Sequence, residues 1–188
     1  MVTVESKFIG IFKTGDNIVH NLEVLALLYG YYNAAQPEQR RLLCKPIIIL
    51  LVAIIDAVLH DLHQRIREFR TEGVRNVLEE SRNYIRSRKK MEKLEATIES
   101  AKKQGLIEPA NDAFYTRLDE LRKLRNRVHI QNIKKYSPPN ESEAFSEAMK
   151  TQAEQCVEKT LKVMARKYSR DHDYVAAFNL PWNAHYPA

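Results

Sequence analysis

The stretch from residue 46 to residue 69 constrains the fold more than any other part of this sequence. It reads PIIILLVAIIDAVLHDLHQRIREF, and neither glycine nor proline follows its first residue. Its apolar residues recur at helical spacing and form one stripe, made of Ile48, Val52, Ile55, Leu59, Leu62 and Ile66. Because the opening turns are apolar on nearly every side, this segment is predicted to be the central core helix, beginning near Pro46.

The rest of the chain is also poor in residues that break helices. It has 5 glycines and 7 prolines among 188 residues, and such long uninterrupted stretches favour helices over a strand-and-turn fold. Hydrophobic residues make up 44% of the chain, which is enough for a packed core. We therefore predict an all-α fold with a single domain, residues 1–188. A bundle of about five helices spans residues 16–168, and residues 169–188 form a tail.

Capping and turn residues give the expected boundaries of these helices. The lead-in, residues 1–15, is predicted to be a short extended segment. The first helix is expected to be capped by Asp16 or Asn17, and the core helix follows from Pro46. A charged helix over 74–104 is expected to be closed by Gly105. The next helix is expected to start at Asn111 or Asp112, and a last helix to cover 143–168.

Charge and cysteine usage narrow the class of protein only slightly. A net charge of +6 and a pI near 9.3 are compatible with an anionic partner such as nucleic acid. Cys44 and Cys156 are isolated, which indicates buried apolar filler and neither a disulfide framework nor a zinc site. There is no signal peptide pattern, and the apolar run 46–55, closed by Lys45 and Asp56, is too short to span a bilayer. We expect a cytoplasmic protein with no membrane partner.

The segment LRKLRNRVHIQN, residues 121–132, groups the side chains most suited to chemistry. On a continuous helix Arg122, Arg125 and His129 fall within an arc of about 60°. Arginine forks suit a phosphate, and an imidazole moves a proton near neutral pH. The same helix is predicted to turn one set of residues inward (Phe114, Leu118, Leu121, Leu124 and Val128) and another set to solvent (Glu120, Lys123 and Arg127).

This helix resembles the signature of the HEPN domain superfamily. That signature has an Arg, then a polar residue that is often Asn, and after a short gap a His, as in Arg125, Asn126 and His129. Three residues separate Arg125 from His129, whereas the usual gap is four to six. Six residues separate Arg122 from His129, but Arg122 is followed by Lys123, which is not a typical polar partner. Residues 48–62 are similar to the family's apolar helix that ends in an acidic residue. The resemblance covers residues 18–168 and is most specific at 118–132.

The resemblance implies a dimeric, metal-independent endoribonuclease that needs no cofactor and leaves a 2′,3′-cyclic phosphate. His129 would act as base or acid, Arg125 would clamp the phosphate, Asn126 would orient one of the two, and Arg122 would add a second phosphate contact. One histidine does not easily perform both proton transfers, and a partner copy would supply the second group. A toxin or phage-defence role is implied, with RNA as substrate and an antitoxin or a nucleotidyltransferase-like protein as partner.

Two further groups of residues are assigned to the site. The basic run from Arg82 to Lys90 is a candidate track for the RNA backbone through Arg82 and Arg86, with Tyr84 available for stacking; a solvated charged face is the alternative. Asp56 is expected to support the site by pairing with Arg122 or Arg125 across the bundle.

Two alternatives for the motif stay open. The motif Arg and His residues would be purely structural if they formed salt bridges, or they would belong to a catalytically inactive HEPN-like module that binds a nucleotide, RNA or a partner protein.

Asp56, His60 and His63 share one helix face, as the ligands of an incomplete metal site would. They are better explained as polar residues at the margin of the core, so no metal is expected. The tail aromatics are expected to pack on the bundle or on a partner subunit: Tyr174, Phe178, Trp182 and Tyr186.

Overall fold

The chain is predominantly helical, as predicted. The computed structural model describes residues 2–68, 74–88, 91–128, 140–171 and 175–187. These ranges contain seven α-helices, one 3₁₀ helix and two short strands, in the order β1 (Val2–Val4), α1 (Phe12–Ala34), α2 (Pro37–Glu68), α3 (Glu79–Ser87), α4 (Leu94–Lys103), α5 (Ala113–Arg125), the 3₁₀ helix (Asn126–Val128), α6 (Glu141–Ala144), α7 (Glu147–Lys167) and β2 (Phe178–Leu180). The all-α fold class is confirmed, and the described ranges hold seven α-helices where about five were predicted.

Helix α2 is the centre of the bundle. Helices α1, α3, α4, α5 and α7 all pack against it, and every residue of its predicted stripe is buried. By length and composition alone α2 is able to cross a membrane, but half of its most apolar window is buried inside the fold. One such helix is weak evidence for a membrane span, because the core helix of a soluble protein passes the same test.

The start of α2 differs from the prediction. The helix begins at Pro37, and Pro46 lies inside it. A proline within a helix costs about 3 kcal/mol through its missing N–H and its ring. Around Pro46 the helix buries Ile47, Ile48 and Leu51 completely, and each such side chain contributes roughly 1.5–3 kcal/mol. Burial therefore outweighs the local cost of the proline.

The start of α1 shows how another helix can supply a cap. The predicted caps, Asp16 and Asn17, lie inside α1, which begins after Ile11 without a side-chain cap of its own. Instead the carboxylate of Asp61, on α2, accepts the backbone N–H groups of Gly10 at 2.9 Å and of Ile11 at 3.0 Å. A buried carboxylate at the positive end of α1 satisfies donors that would otherwise be unpaired.

The middle of the chain combines two correct local predictions with one error. The charged region forms two helices, α3 and α4, where one was predicted. Gly105, with a φ of 57°, closes α4 as expected, because the N–H groups of Gly105 and Leu106 bond back to Lys102 and Ala101. Asp112, one of the two residues predicted to cap this helix, caps α5 by accepting the N–H of Phe114 at 2.7 Å.

The last predicted helix is also divided. Helix α6 ends at Ala144, and α7 begins at Glu147 with the Ser146 hydroxyl as its cap. The predicted extended lead-in is confirmed for β1, which pairs antiparallel with β2 from the tail, Val2 opposite Leu180. Strand β2 was not predicted, because a strand of three residues carries too little alternation to be recognised.

The tail is fastened to the bundle by a buried polar network, which we call the tail network: Tyr29, Lys150, Glu154, Glu158, Trp182 and His185. Glu154 accepts bonds from the Tyr29 hydroxyl and from Lys150. It also lies 3.0 Å from the His185 ring. Glu158, completely buried, accepts from Trp182 and from the backbone of His185 and Tyr186. Burial of Phe178 and Trp182 confirms that these tail aromatics pack on the bundle; Tyr174 lies outside the described residues.

Candidate functional site

Helix α5 presents the motif along the border of the core. Its inward face buries Phe114, Tyr115, Leu118, Leu121 and Leu124, and the helix packs against α2, α4 and α7. Since these apolar contacts fix the rotation of α5, its polar flank lies beside α2 and the start of α4. Four of the five residues predicted to point inward do so, and Val128, at 44% exposed, does not.

The polar flank forms one wall of a surface cleft of about 420 Å³, which we call the motif cleft. Arg122, Arg125 and Asn126 contribute from α5 and its end, Asp56 contributes from α2, and the segment 92–95 closes the remaining side. Three of the motif residues and their predicted supporting residue therefore share one concave site. Sequence reasoning did not identify segment 92–95, which has no pattern that distinguishes it from the other charged stretches.

Arg125 pairs with Asp56 across the cleft. The guanidinium Nη2 lies 2.9 Å from Asp56 Oδ2, which confirms one of the two pairings expected for Asp56. Both side chains are about one-third exposed, 30% and 33%. Burial raises the pKa of Asp56, and the Arg125 charge offsets this only in part. The Nε of Arg125 is buried and has no hydrogen-bond partner among the described residues, so this guanidinium retains a donor.

Arg122 is held differently. Its Nε donates to Asp119 at 2.8 Å, and its Nη2 lies 3.2 Å from Glu95. Burial acts to raise the pKa of Asp119, but hydrogen bonds from Lys123 and Arg122 hold that pKa below its usual range. Arg122, at 13% exposed, is thus fixed between two carboxylates beside the cleft.

The end of α5 changes the expected geometry of the motif. The α-helix stops at Arg125 and tightens into the 3₁₀ helix at Asn126–Val128. A 3₁₀ turn advances about 120° per residue instead of 100°, so the phase of the following residues shifts. Arg127 is consequently buried, at 7% exposed, although it was predicted to face solvent, whereas Glu120 and Lys123 are exposed as expected. His129 lies outside the described residues, and the 60° arc assumed an unbroken α-helix.

The predicted backbone track does not line the motif cleft. Arg82 donates to the Val74 carbonyl at 3.0 Å, and Arg86 donates to the Ile66 carbonyl at 3.1 Å. Both arginines therefore fasten α3 to neighbouring backbone.

Tyr84 also has close cationic neighbours. Lys103 lies 4.4 Å and Arg88 lies 4.9 Å from the centre of its ring. Lys89 and Lys90 lie outside the described residues. The assignment of Arg82, Arg86 and Tyr84 to RNA remains a prediction.

The two cysteines and the histidines of α2 complete the residues singled out. Cys44 and Cys156 are free and buried, as predicted. His63 is also buried, whereas His60 is exposed. No group of three or more His, Cys, Asp or Glu side chains among the described residues is arranged to hold a metal ion.

Comparison with known proteins adds no relative. No family model, no curated protein and no solved structure matches this chain. The functional interpretation therefore depends on the motif and on the geometry of the cleft.

Proposed function

We propose that this chain is a metal-independent endoribonuclease of the HEPN type, with the scissile phosphate bound in the motif cleft. The observation that carries the proposal is that Arg122, Arg125 and Asn126 line one cleft with Asp56. The Arg125 side chain is 30% exposed, and its guanidinium carries donors beyond the Nη2 that pairs with Asp56, which suit an anionic ligand. Planar guanidinium groups suit phosphate oxygens, and a partly buried position strengthens their effect.

The reaction requires a base, an acid and stabilisation of charge on phosphorus. A base removes the proton of the 2′-hydroxyl, whose oxygen attacks phosphorus while the bond to the 5′-oxygen breaks. The acid protonates that 5′-oxygen, and a 2′,3′-cyclic phosphate remains. In this proposal His129 performs one proton transfer, Arg125 stabilises the phosphate, and Asp56 keeps the guanidinium oriented. The second proton-transfer group comes from a partner copy in a homodimer.

The resemblance to HEPN proteins supports a biological setting for this activity. In that setting the protein works in the cytoplasm as a toxin or phage-defence effector. Its partner there is an antitoxin or a nucleotidyltransferase-like protein. No cofactor takes part in the proposed reaction.

The test is RNA cleavage in EDTA by the wild type, His129→Ala and Arg125→Ala. We expect cleavage by the wild type and a loss of about 100-fold or more in both variants, the scale of a general acid–base group. Thr116→Ala is the matched control, because Thr116 lies exposed on the same helix and does not line the motif cleft. Equal cleavage by folded wild type and His129→Ala would refute the proposal, and circular dichroism checks that each variant is folded.

A second function is favoured by the ion pairs of the motif. Arg125 already pairs with Asp56, and Arg122 with Asp119 and Glu95, which suits an inactive HEPN-like module that binds RNA, a nucleotide or a partner protein. That module would retain RNA in a mobility-shift assay without cutting it. Absence of cleavage by folded wild type together with such binding selects this alternative.

A further inference from the structure

A second cleft lies next to the motif cleft, and we call it the His63 cleft. It has a volume of about 330 Å³, which is near the lower limit for ligand sites in proteins. Its lining includes His60, His63, Arg67 and Glu68 from α2, together with Met91 and Glu92. Glu92 also lines the motif cleft, so the two clefts are neighbours.

His63 lines this cleft with an almost completely buried ring that carries an unpaired acceptor. The side chain is 2% exposed, and its Nδ1 lies 2.7 Å from the Leu59 carbonyl oxygen. A carbonyl only accepts, so Nδ1 carries the proton and Nε2 carries a lone pair. Burial lowers the pKa of His63 to about 4, which keeps the ring neutral at pH 7. Nε2 has no hydrogen-bond partner among the described residues.

A buried acceptor without a partner is costly unless a ligand satisfies it. A metal ion is a poor candidate, because the described residues offer no group of three or more acidic, histidine or cysteine ligands. A ligand with N–H donors fits better, since the carboxylate of Glu92 adds an acceptor to the same lining. Glu68 adds another, although one of its oxygens already accepts from the Gln64 amide at 3.1 Å. Met91, only 8% exposed, supplies an apolar, polarisable surface for a flat ring.

We propose that the His63 cleft is a nucleobase subsite that accepts guanine. Guanine carries two adjacent donors, N1–H and the 2-amino group, on its Watson–Crick edge. Beside these donors guanine carries an acceptor, O6, which suits the donors of Arg67 and Gln64 in the same lining. Adenine, cytosine and uracil do not carry two adjacent donors on that edge, so each would place an acceptor against a carboxylate or against Nε2 of His63. Nε2 of His63 would accept from one guanine donor, and a carboxylate of Glu92 or Glu68 would accept from the other.

This inference rests on the proposed function, because RNA would then occupy both clefts. Asp56 in the motif cleft and His63 are seven positions apart on α2, which corresponds to about 10 Å along the helix axis. A single-stranded segment therefore reaches from a phosphate at Arg125 to a base at His63. The cleft would give the enzyme a preference for a guanine near the cleaved bond.

The test is calorimetric titration of the full chain with guanosine 5′-monophosphate and adenosine 5′-monophosphate in EDTA. We expect the guanine nucleotide to bind about tenfold more tightly than the adenine nucleotide. His63→Asn should weaken guanine binding by about tenfold or more, the scale of a buried hydrogen bond. Asn at this position retains an N–H for the Leu59 carbonyl but lacks the Nε2 acceptor. The control is His20→Asn, at an exposed histidine of α1.

If His63→Asn fails to fold, Glu92→Gln at an exposed position provides the second variant, and we expect a several-fold loss of guanine binding. Equal binding of both nucleotides, no binding, or binding only after zinc is added would overturn the guanine subsite. The titration uses mononucleotides, so it measures binding independently of RNA cleavage. Guanine binding by a protein that does not cut RNA would therefore refute the ribonuclease and keep the subsite, whereas cleavage without guanine binding would do the reverse.

Discussion

The two clefts and the tail network use buried polar groups in opposite ways. In the tail network Glu158 is fully buried, yet it accepts from Trp182, His185 and Tyr186 and pairs with Lys162. Among the described residues four buried side-chain atoms lack a partner, and two of them, on His63 and Arg125, belong to residues that line the clefts. None of the four lies in the tail network.

This difference separates groups that hold the fold from groups that we propose to bind a ligand. A fully paired buried carboxylate fixes the position of its donors, and its removal leaves several of them unpaired. A buried donor or acceptor without a partner makes no stabilising hydrogen bond in the ligand-free protein. Its burial therefore lowers the stability of the fold. We therefore expect substitutions in the tail network to reduce stability and substitutions in the clefts to reduce binding or activity.

The largest effect on stability is expected for Glu158→Ala. Loss of the carboxylate leaves the Trp182 indole and the backbone N–H groups of His185 and Tyr186 without their acceptor. The free energy of unfolding should fall by about 2–4 kcal/mol, measured by urea denaturation. Glu99→Ala, at an exposed position of α4, should change it little. A loss similar to that of the control would mean that the tail network does not stabilise the fold.

The pH dependence of the free energy of unfolding should distinguish the His63 cleft from the tail network. His63 has a folded pKa of about 4, against 6.5 for the free side chain, so the unfolded chain binds more protons between these values. The free energy of unfolding should therefore fall as the pH is lowered from 6.5 towards 4, by up to about 3 kcal/mol. His63→Asn should flatten the curve in this window, measured by denaturation at a series of pH values.

The tail network should respond at lower pH. Burial acts to raise the pKa of Glu158, but the His185 N–H and the Lys162 ammonium hold it below its usual range. Its contribution to stability is therefore present above the unfolded pKa of 4.5 and is lost only as the pH falls further. The same slope for wild type and His63→Asn above pH 4.5 would contradict the assignment of the upper window to His63.

The smallest effect on stability is expected for Asp56→Asn. The Arg125–Asp56 pair is about one-third exposed, and pairs of this kind contribute about 1 kcal/mol or less. Burial raises the pKa of Asp56, so removal of its charge also relieves a desolvation cost. We expect a change under about 1 kcal/mol in urea denaturation, together with slower RNA cleavage because Arg125 loses its orienting partner. A loss as large as that of Glu158→Ala would place Asp56 among the groups that hold the fold.

Local signals allowed much of the helical structure to be predicted. The apolar stripe of α2, the positive φ at Gly105 and the Asp112 cap each depend on residues within about one helical turn. The start of α1 was not predictable in this way, because its cap is Asp61, which is 50 residues away in sequence. The end of α5 was also missed, and with it the burial of Arg127 and the exposure of Val128.

The sequence by itself determined the fold class and the core helix, and it singled out the residues proposed to bind phosphate. It also limited the partner of Asp56 to Arg122 or Arg125. Only the tertiary structure decided that Arg125 is that partner, that residues 92–95 close the motif cleft and that His63 retains an unpaired acceptor. Periodicity and capping act over a few neighbouring residues, whereas burial and pairing depend on which helices meet, and those contacts join residues that are distant in the chain.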